Sequence, residues 1–118
     1  MTRKKDLSST LALADLAERA IEDLKGRDIQ RLDVAPLTDV ADVMLIASGT
    51  SARHVKSIAE NVVDRARRAG LRPIGVEGTD AGEWILVDFG AVIVHVMGDE
   101  ARRHYALEKL WTAHPAQG

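Results

Sequence analysis

The run Asp42-Val-Met-Leu-Ile-Ala47 constrains this 118-residue chain more than any other stretch. Residues 43–47 are all apolar, without the polar alternation of a half-wet strand, and the run is too short for a stable helix. It predicts a strand covered on both faces. The stretch "WILVDFGAVIVHVM" (84–97) predicts two more apolar strands, folded back at Asp88-Phe89-Gly90 as a tight hairpin. Strands of this kind need amphipathic helices to cover them, and the chain supplies these. Leu7 to Leu24 places apolar residues at 13, 16, 17, 20, 21 and 24, one stripe of helical period. Gly26 is its expected stop. Val55, Ile58, Ala59, Val62, Ala66 and Ala69 form a second stripe that ends at Gly70, with Lys56/Glu60 and Asp64/Arg68 as i,i+4 pairs on its wet side.

"DIQRLDVAPL" (28–37) and "RPIGVEG" (72–78) read as shorter, more polar strands, the first ended or edged by Pro36 and the second weakened by Pro73 and Gly75. A last helix opens at Gly98 or Asp99 and runs through Trp111, with Ala106, Leu107, Leu110 and Trp111 as its stripe. The order α-β-β-α-β-β-β-α predicts an α/β fold (mixed α+β): a single mixed sheet of about five strands flanked by helices. The chain 1–118 is read as one domain, with residues 1–9 and 113–118 as loose termini.

Composition narrows the function. There is no cysteine, so disulfides and thiolate metal sites are excluded. The N-terminal "MTRKKDLSST" lacks the apolar core of a secretory signal, and no apolar run reaches the roughly 18 residues of a membrane span. A cytoplasmic protein without membrane contact is the expectation. The formal net charge is −2 and only Arg65, Arg67, Arg68 and Arg72 cluster, so the footprint of a direct nucleic-acid binder is missing. Aromatics make up 3% of the chain, too few for base-stacking platforms.

The segment Ser48-Gly-Thr-Ser-Ala-Arg-His-Val55, between strand and helix, poses the sharpest question. Glycine, two hydroxyls and Arg53 at a helix N-terminus suit an anion. The plainer reading is that Thr50 or Ser51 caps the helix. Neither G-x-x-x-x-G-K-[ST] nor G-x-G-x-x-G is present. Nucleotidyltransferases follow such a turn with two carboxylates at i and i+2 on one strand, where they share Mg²⁺. Here the next strand offers only Glu77 and the following one Asp88, which argues against phosphoryl transfer. There is no nucleophile elbow and no H-E-x-x-H, and His54, His95, His104 and His114 lack ligand spacing. No catalytic residue, cofactor or metal is assigned. His95, alternating with Val94 and Val96, reads as a hydrogen-bonded structural histidine. Glu77, beside Gly78, stands open between a solvated turn and an interaction role.

Taken together, Asp42, "GTSARHV" (49–55), "VEG" (76–78), Trp84, Asp88, "VHVM" (94–97), Tyr105 and "LEKLW" (107–111) resemble the ribosomal silencing factor family, also called RsfS or Iojap. The likeness covers residues from about 10 to 112. Ala52 departs where the family often has a second serine, and Ala41 where it often has threonine. The resemblance implies a nucleotidyltransferase-like fold without the enzyme activity. It implies binding to the large ribosomal subunit through its universal fourteenth protein, on the face that meets the small subunit. Subunit joining would be blocked, and translation repressed under nutrient limitation. It also implies relevance to late assembly of the large subunit, and self-association as a homodimer. A nucleotide-binding enzyme and an assembly adaptor without repression are the competing functions.

The residues agree with a docking role. Steric blocking needs a surface anchored by a few aromatic or arginine side chains, not a catalytic group. Trp111 shares the stripe of Leu107 and Leu110. Tyr105 lies off that stripe, Phe89 sits at the hairpin tip with little to pack against, and Trp84 begins its strand beside an acidic, glycine-rich turn. Trp84, Phe89 and Tyr105 are therefore expected on one exposed patch that binds the partner, with Glu77 and Asp88 facing basic groups of the ribosomal protein.

Overall fold

A computed structural model of the chain describes residues 3–78 and 81–105. It runs α1 (Arg3–Asp23), β1 (Arg27–Asp33), β2 (Val43–Gly49), α2 (Ala52–Arg68), β3 (Gly75–Glu77), β4 (Trp84–Asp88), β5 (Val92–Gly98) and α3 (Asp99–Tyr105). The element order is the one the sequence pattern predicts. α1 begins at Arg3, earlier than its apolar stripe signals. Arg3, Lys4 and Lys5 are good helix formers with no apolar face, so periodicity is silent there. The stripe expected at Ala106, Leu107, Leu110 and Trp111, and the tail 113–118, lie outside the described residues.

The strands form one five-stranded mixed sheet in the order β1-β2-β5-β4-β3. The two mostly apolar strands, β2 and β5, are paired at its centre and parallel, Val43 beside Val92 through Gly49 beside Gly98. The other pairings are antiparallel. Every residue of β2 is buried, as is every residue of β5 except its last. β1 and β3 are edges and carry the polar residues that a half-covered strand tolerates.

Alternation along each strand sorts side chains onto two faces. The first face presents Val43, Leu45 and Ala47 of β2, Val92, Val94 and Val96 of β5, and Ile85 and Val87 of β4. α1 covers it with Leu13, Ala14, Ala17, Ala20 and Ile21, and α2 with Val55, Ile58, Ala59 and Val62. Ala14, Ala17 and Ala20 of α1 have no exposed surface, and their small size lets the helix sit close to its neighbours. The second face presents Met44, Ile46, Ile93 and Met97, joined by Leu32, Trp84 and Leu86. α3 lies over part of it through Ala101.

Short polar devices hold the connections. Asn61 Nδ2 donates to the Ala20 carbonyl at 2.8 Å, tying α2 to α1. At the hairpin tip the Asp88 carboxylate accepts from the Gly90 amide at 2.7 Å, and Gly90 takes φ +89°, a conformation that favours glycine. α2 ends at Ala69, which is its C-cap and exposed rather than buried.

Candidate functional site

The Ser48–Val55 segment resolves first. Ser51 is the N-cap of α2: its hydroxyl accepts from the His54 amide at 3.1 Å. His54 then stitches the loop to the end of α1. Its Nδ1 accepts from the Thr50 amide at 2.8 Å, so the proton sits on Nε2, which donates to the Leu24 carbonyl at 2.7 Å. A side chain on Gly49 would collide with Val55, 2.9 Å away. Ser48 points the other way, onto the second face, where Arg102 of α3 donates to its hydroxyl at 2.9 Å and to the Asp28 carbonyl at 2.7 Å. The hydroxyls and the imidazole are thus occupied in closing the fold. The role of His54 was not readable from spacing, because its second partner is 30 positions away.

Two arginines of the α2 cluster are paired as well. Arg65 meets Asp23 at 2.5 Å and Arg68 meets Asp64 at 2.9 Å. Among the described residues no group of three or more histidines, aspartates or glutamates is placed to hold a metal ion. No described helix is long and apolar enough to cross a membrane.

Sheet register places the expected docking residues. Glu77 lies beside Leu86, which lies beside His95, which lies beside Ile46. One row of side chains therefore crosses the second face from the β3 edge. The next row holds Trp84, Met97 and Ser48. On the other side lies the row of Asp88, Ile93 and Met44. Glu77, Trp84 and Asp88 thus share the second face, as a period of two requires. Glu77 is exposed at the edge, while Trp84 and Asp88 are half-buried.

Phe89 does not join them. It packs against the first-face core under α1 and α2, on the opposite side of the sheet from Trp84. The expectation that it has little to pack against is corrected: the Asp88 turn throws the next side chain across the sheet plane, back onto the apolar layer. A single exposed patch holding Trp84, Phe89 and Tyr105 is therefore not what the fold presents. Tyr105 ends α3, on the second-face side, and its side chain lies outside what the structure describes.

The sharpest chemistry on this face is one the site reading missed. Trp84 Nε1 donates to His95 Nδ1 at 2.9 Å, and the two rings lie 5.8 Å apart, tilted by 48°. His95 is 6% exposed, and burial pushes its imidazole down to about 4. The bond itself requires the neutral ring, with the proton on Nε2. His95 is thus the structural, hydrogen-bonded histidine that its place in the strand predicts. Its partner follows only from the β4–β5 register, which sets Trp84 one row away.

Comparison with known proteins gives a consistent result. A sequence model of the family described as "Ribosomal silencing factor during starvation" matches residues 7–117. A Chromobacterium violaceum protein named ribosomal silencing factor RsfS is 44% identical over 99 residues, covering 84% of this chain and 81% of its own. A mouse protein named "Mitochondrial assembly of ribosomal large subunit protein 1" is 36% identical over 101 residues, covering 83% of this chain and 44% of its own. A crystal structure of a Chromobacterium violaceum protein superposes with a TM-score of 0.84 at 44% identity, covering 86% of this chain and 84% of that one.

Proposed function

The chain belongs to the ribosomal silencing factor family, and from that premise we propose that it represses translation by docking on the large ribosomal subunit. In this reading it binds the universal fourteenth protein of that subunit and sterically prevents the small subunit from joining. It acts in the cytoplasm, without catalysis, cofactor or metal. The observation that carries the reading is the family match over nearly the whole chain.

The second sheet face suits such a role. Among the described residues it is the face with the lesser helical cover, and it carries an indole with the Glu77 carboxylate one row away and that of Asp88 two rows away. A large aromatic on a face that also carries acidic groups fits a basic ribosomal protein: the ring supplies buried area and the carboxylates steer. Glu77 is the more available charge, since one Asp88 oxygen already holds the hairpin turn. The mouse relative's name favours a second reading, in which the same docking serves assembly of the large subunit rather than repression.

Purified large subunits, pelleted with the protein, test docking; adding small subunits tests repression. Docking with a block of joining supports the first reading, and docking without it the second. No docking, together with binding of ATP and Mg²⁺ by calorimetry, would return the protein to the enzyme class. A homodimer is part of the same proposal, and sedimentation of the protein alone checks it.

A further inference from the structure

We infer that His95 is a positioning residue for the docking face, fixing the indole of Trp84 in one orientation through the bond from Trp84 Nε1 to its own Nδ1. This rests on the reading that the second face docks on the ribosome.

Three observations carry it. First, Trp84 is the large aromatic of the second face among the described side chains, and it is only half-buried, so packing alone leaves its ring less constrained than a core side chain. An indole has two side-chain torsions, and a directional bond at its polar end selects among their combinations. Second, the acceptor is rigid. His95 sits mid-strand at the sheet centre, between Leu86 and Ile46, with Val94 and Val96 facing the other core. Third, the acceptor has one state. With Nδ1 taken by the indole N–H, the tautomer is set, and burial disfavours the protonated ring, which could not accept at all.

The charged groups around this pair leave the bond in place. On the same face lie Arg102 of α3, engaged by Ser48 and the Asp28 carbonyl, the edge carboxylate Glu77, and Asp88, engaged by the Gly90 amide. Asp99, at the start of α3, faces Arg27 of β1 at 3.7 Å. Val43, Leu45 and Ala47 of β2 and Ile85 and Val87 of β4 turn to the opposite core and are apolar.

The design implied is a rigid polar pin inside an otherwise apolar face. An anchor held in its bound orientation loses less entropy on docking than a free one. A core histidine with no such duty would be replaceable by an apolar residue of similar size without effect on a partner.

The test uses the full chain with His95→Asn, His95→Leu, Trp84→Phe and Trp84→Ala. Asparagine keeps an acceptor where Nδ1 lies and cannot titrate; leucine removes the acceptor. The readouts are affinity for purified large subunits and the ¹⁵N–¹H resonance of the Trp84 indole, separated from that of Trp111 by Trp111→Phe. The expected result is that His95→Asn binds like the parent, while His95→Leu stays folded and loses roughly tenfold in affinity. In a Trp84→Phe background, which lacks the N–H, His95→Leu should cost nothing further. In the parent the indole resonance should hold steady from pH 6.5 and move only as the pH falls through about 4, and in His95→Asn that movement should be absent.

Parent-like binding by a folded His95→Leu, or an equal loss in the Trp84→Phe background, overturns the positioning role and leaves docking intact. Parent-like binding by Trp84→Ala removes the docking role of this face, and with it the purpose assigned to the pin. If His95→Leu does not fold, hydrogen exchange of the Trp84 indole N–H in the parent at neutral pH decides: exchange as fast as that of a free indole refutes the bond.

Discussion

The two faces of the sheet are built from different materials. The first is a dry layer of valine, alanine, leucine and isoleucine, closed by two long helices. The second carries methionines and isoleucines, but also a serine, a histidine and a tryptophan, each engaged by a hydrogen bond. A dry layer is held by contact with many neighbours and tolerates loss of shape badly. A face with paired polar groups is held at specific points, and its aromatic stays near the surface. The difference teaches where stability and recognition reside: the first face sets whether the chain folds, and the second what it presents.

The largest effect expected is on the first face. Leu45→Ala or Ile58→Ala empties a site with no exposed surface, and should cost about 2–5 kcal/mol in urea unfolding. Leu86→Ala, half-buried on the second face, should cost clearly less. Equal losses would erase the contrast between the faces.

Next in size is a pH effect confined to the second face. Burial lowers the His95 imidazole from 6.5 to about 4, so between those values the unfolded chain takes up a proton that the native chain excludes. The neutral site therefore contributes in full above about pH 6.5, and its contribution is lost as the pH falls toward 4. At roughly 1.4 kcal/mol per unit this reaches up to about 3 kcal/mol. Unfolding measured across that range should flatten in His95→Asn relative to the parent. A parallel pH profile in the two proteins would mean that the acid loss arises elsewhere.

Trp84→Ala should sharpen the contrast from the side of function. Affinity for the large subunit should fall by about 2 kcal/mol or more, roughly 30-fold, in a protein that still folds. Phe89→Ala should do the reverse, lowering stability because Phe89 packs on the first face, and leaving the affinity of the folded fraction unchanged.

Ser51→Ala comes next, at about 0.5–2 kcal/mol of stability, with docking unaffected, since the hydroxyl serves the α2 cap. A loss of docking at full stability would make the loop part of the interface after all. The smallest effect is Arg68→Ala: its partner Asp64 is one turn away on an exposed surface, so roughly 0.3–0.5 kcal/mol is expected in low salt and less in high.

How much of this was legible in the sequence depended on the range of the interaction. The apolar runs at 43–47 and 92–97 announced strands with two covered faces, and the stripe from Val55 to Ala66 announced its helix, because burial writes a period into the chain that local geometry must obey. Those periods determined the order of elements and the composition of each face. The hydroxyl at Ser51 announced a cap for the same reason: its partner is three residues on.

What the sequence left open was which strands become neighbours, and hence which side chains meet. Phe89 shows the difference. Its position at a turn was legible, and its side was not, because the side depends on how the Asp88 turn aims the chain at a core made by other elements. His54 and Leu24 are 30 positions apart, Arg102 and Ser48 are 54, and both pairs close only when helices and strands have docked. Trp84 and His95 are 11 apart, yet their bond depends on the register of β4 against β5, which a slip of one residue would abolish. A period along the chain fixes the face on which a side chain lies; pairing across chain-distant elements fixes its neighbour, and the polar groups on this sheet owe their partners to that pairing.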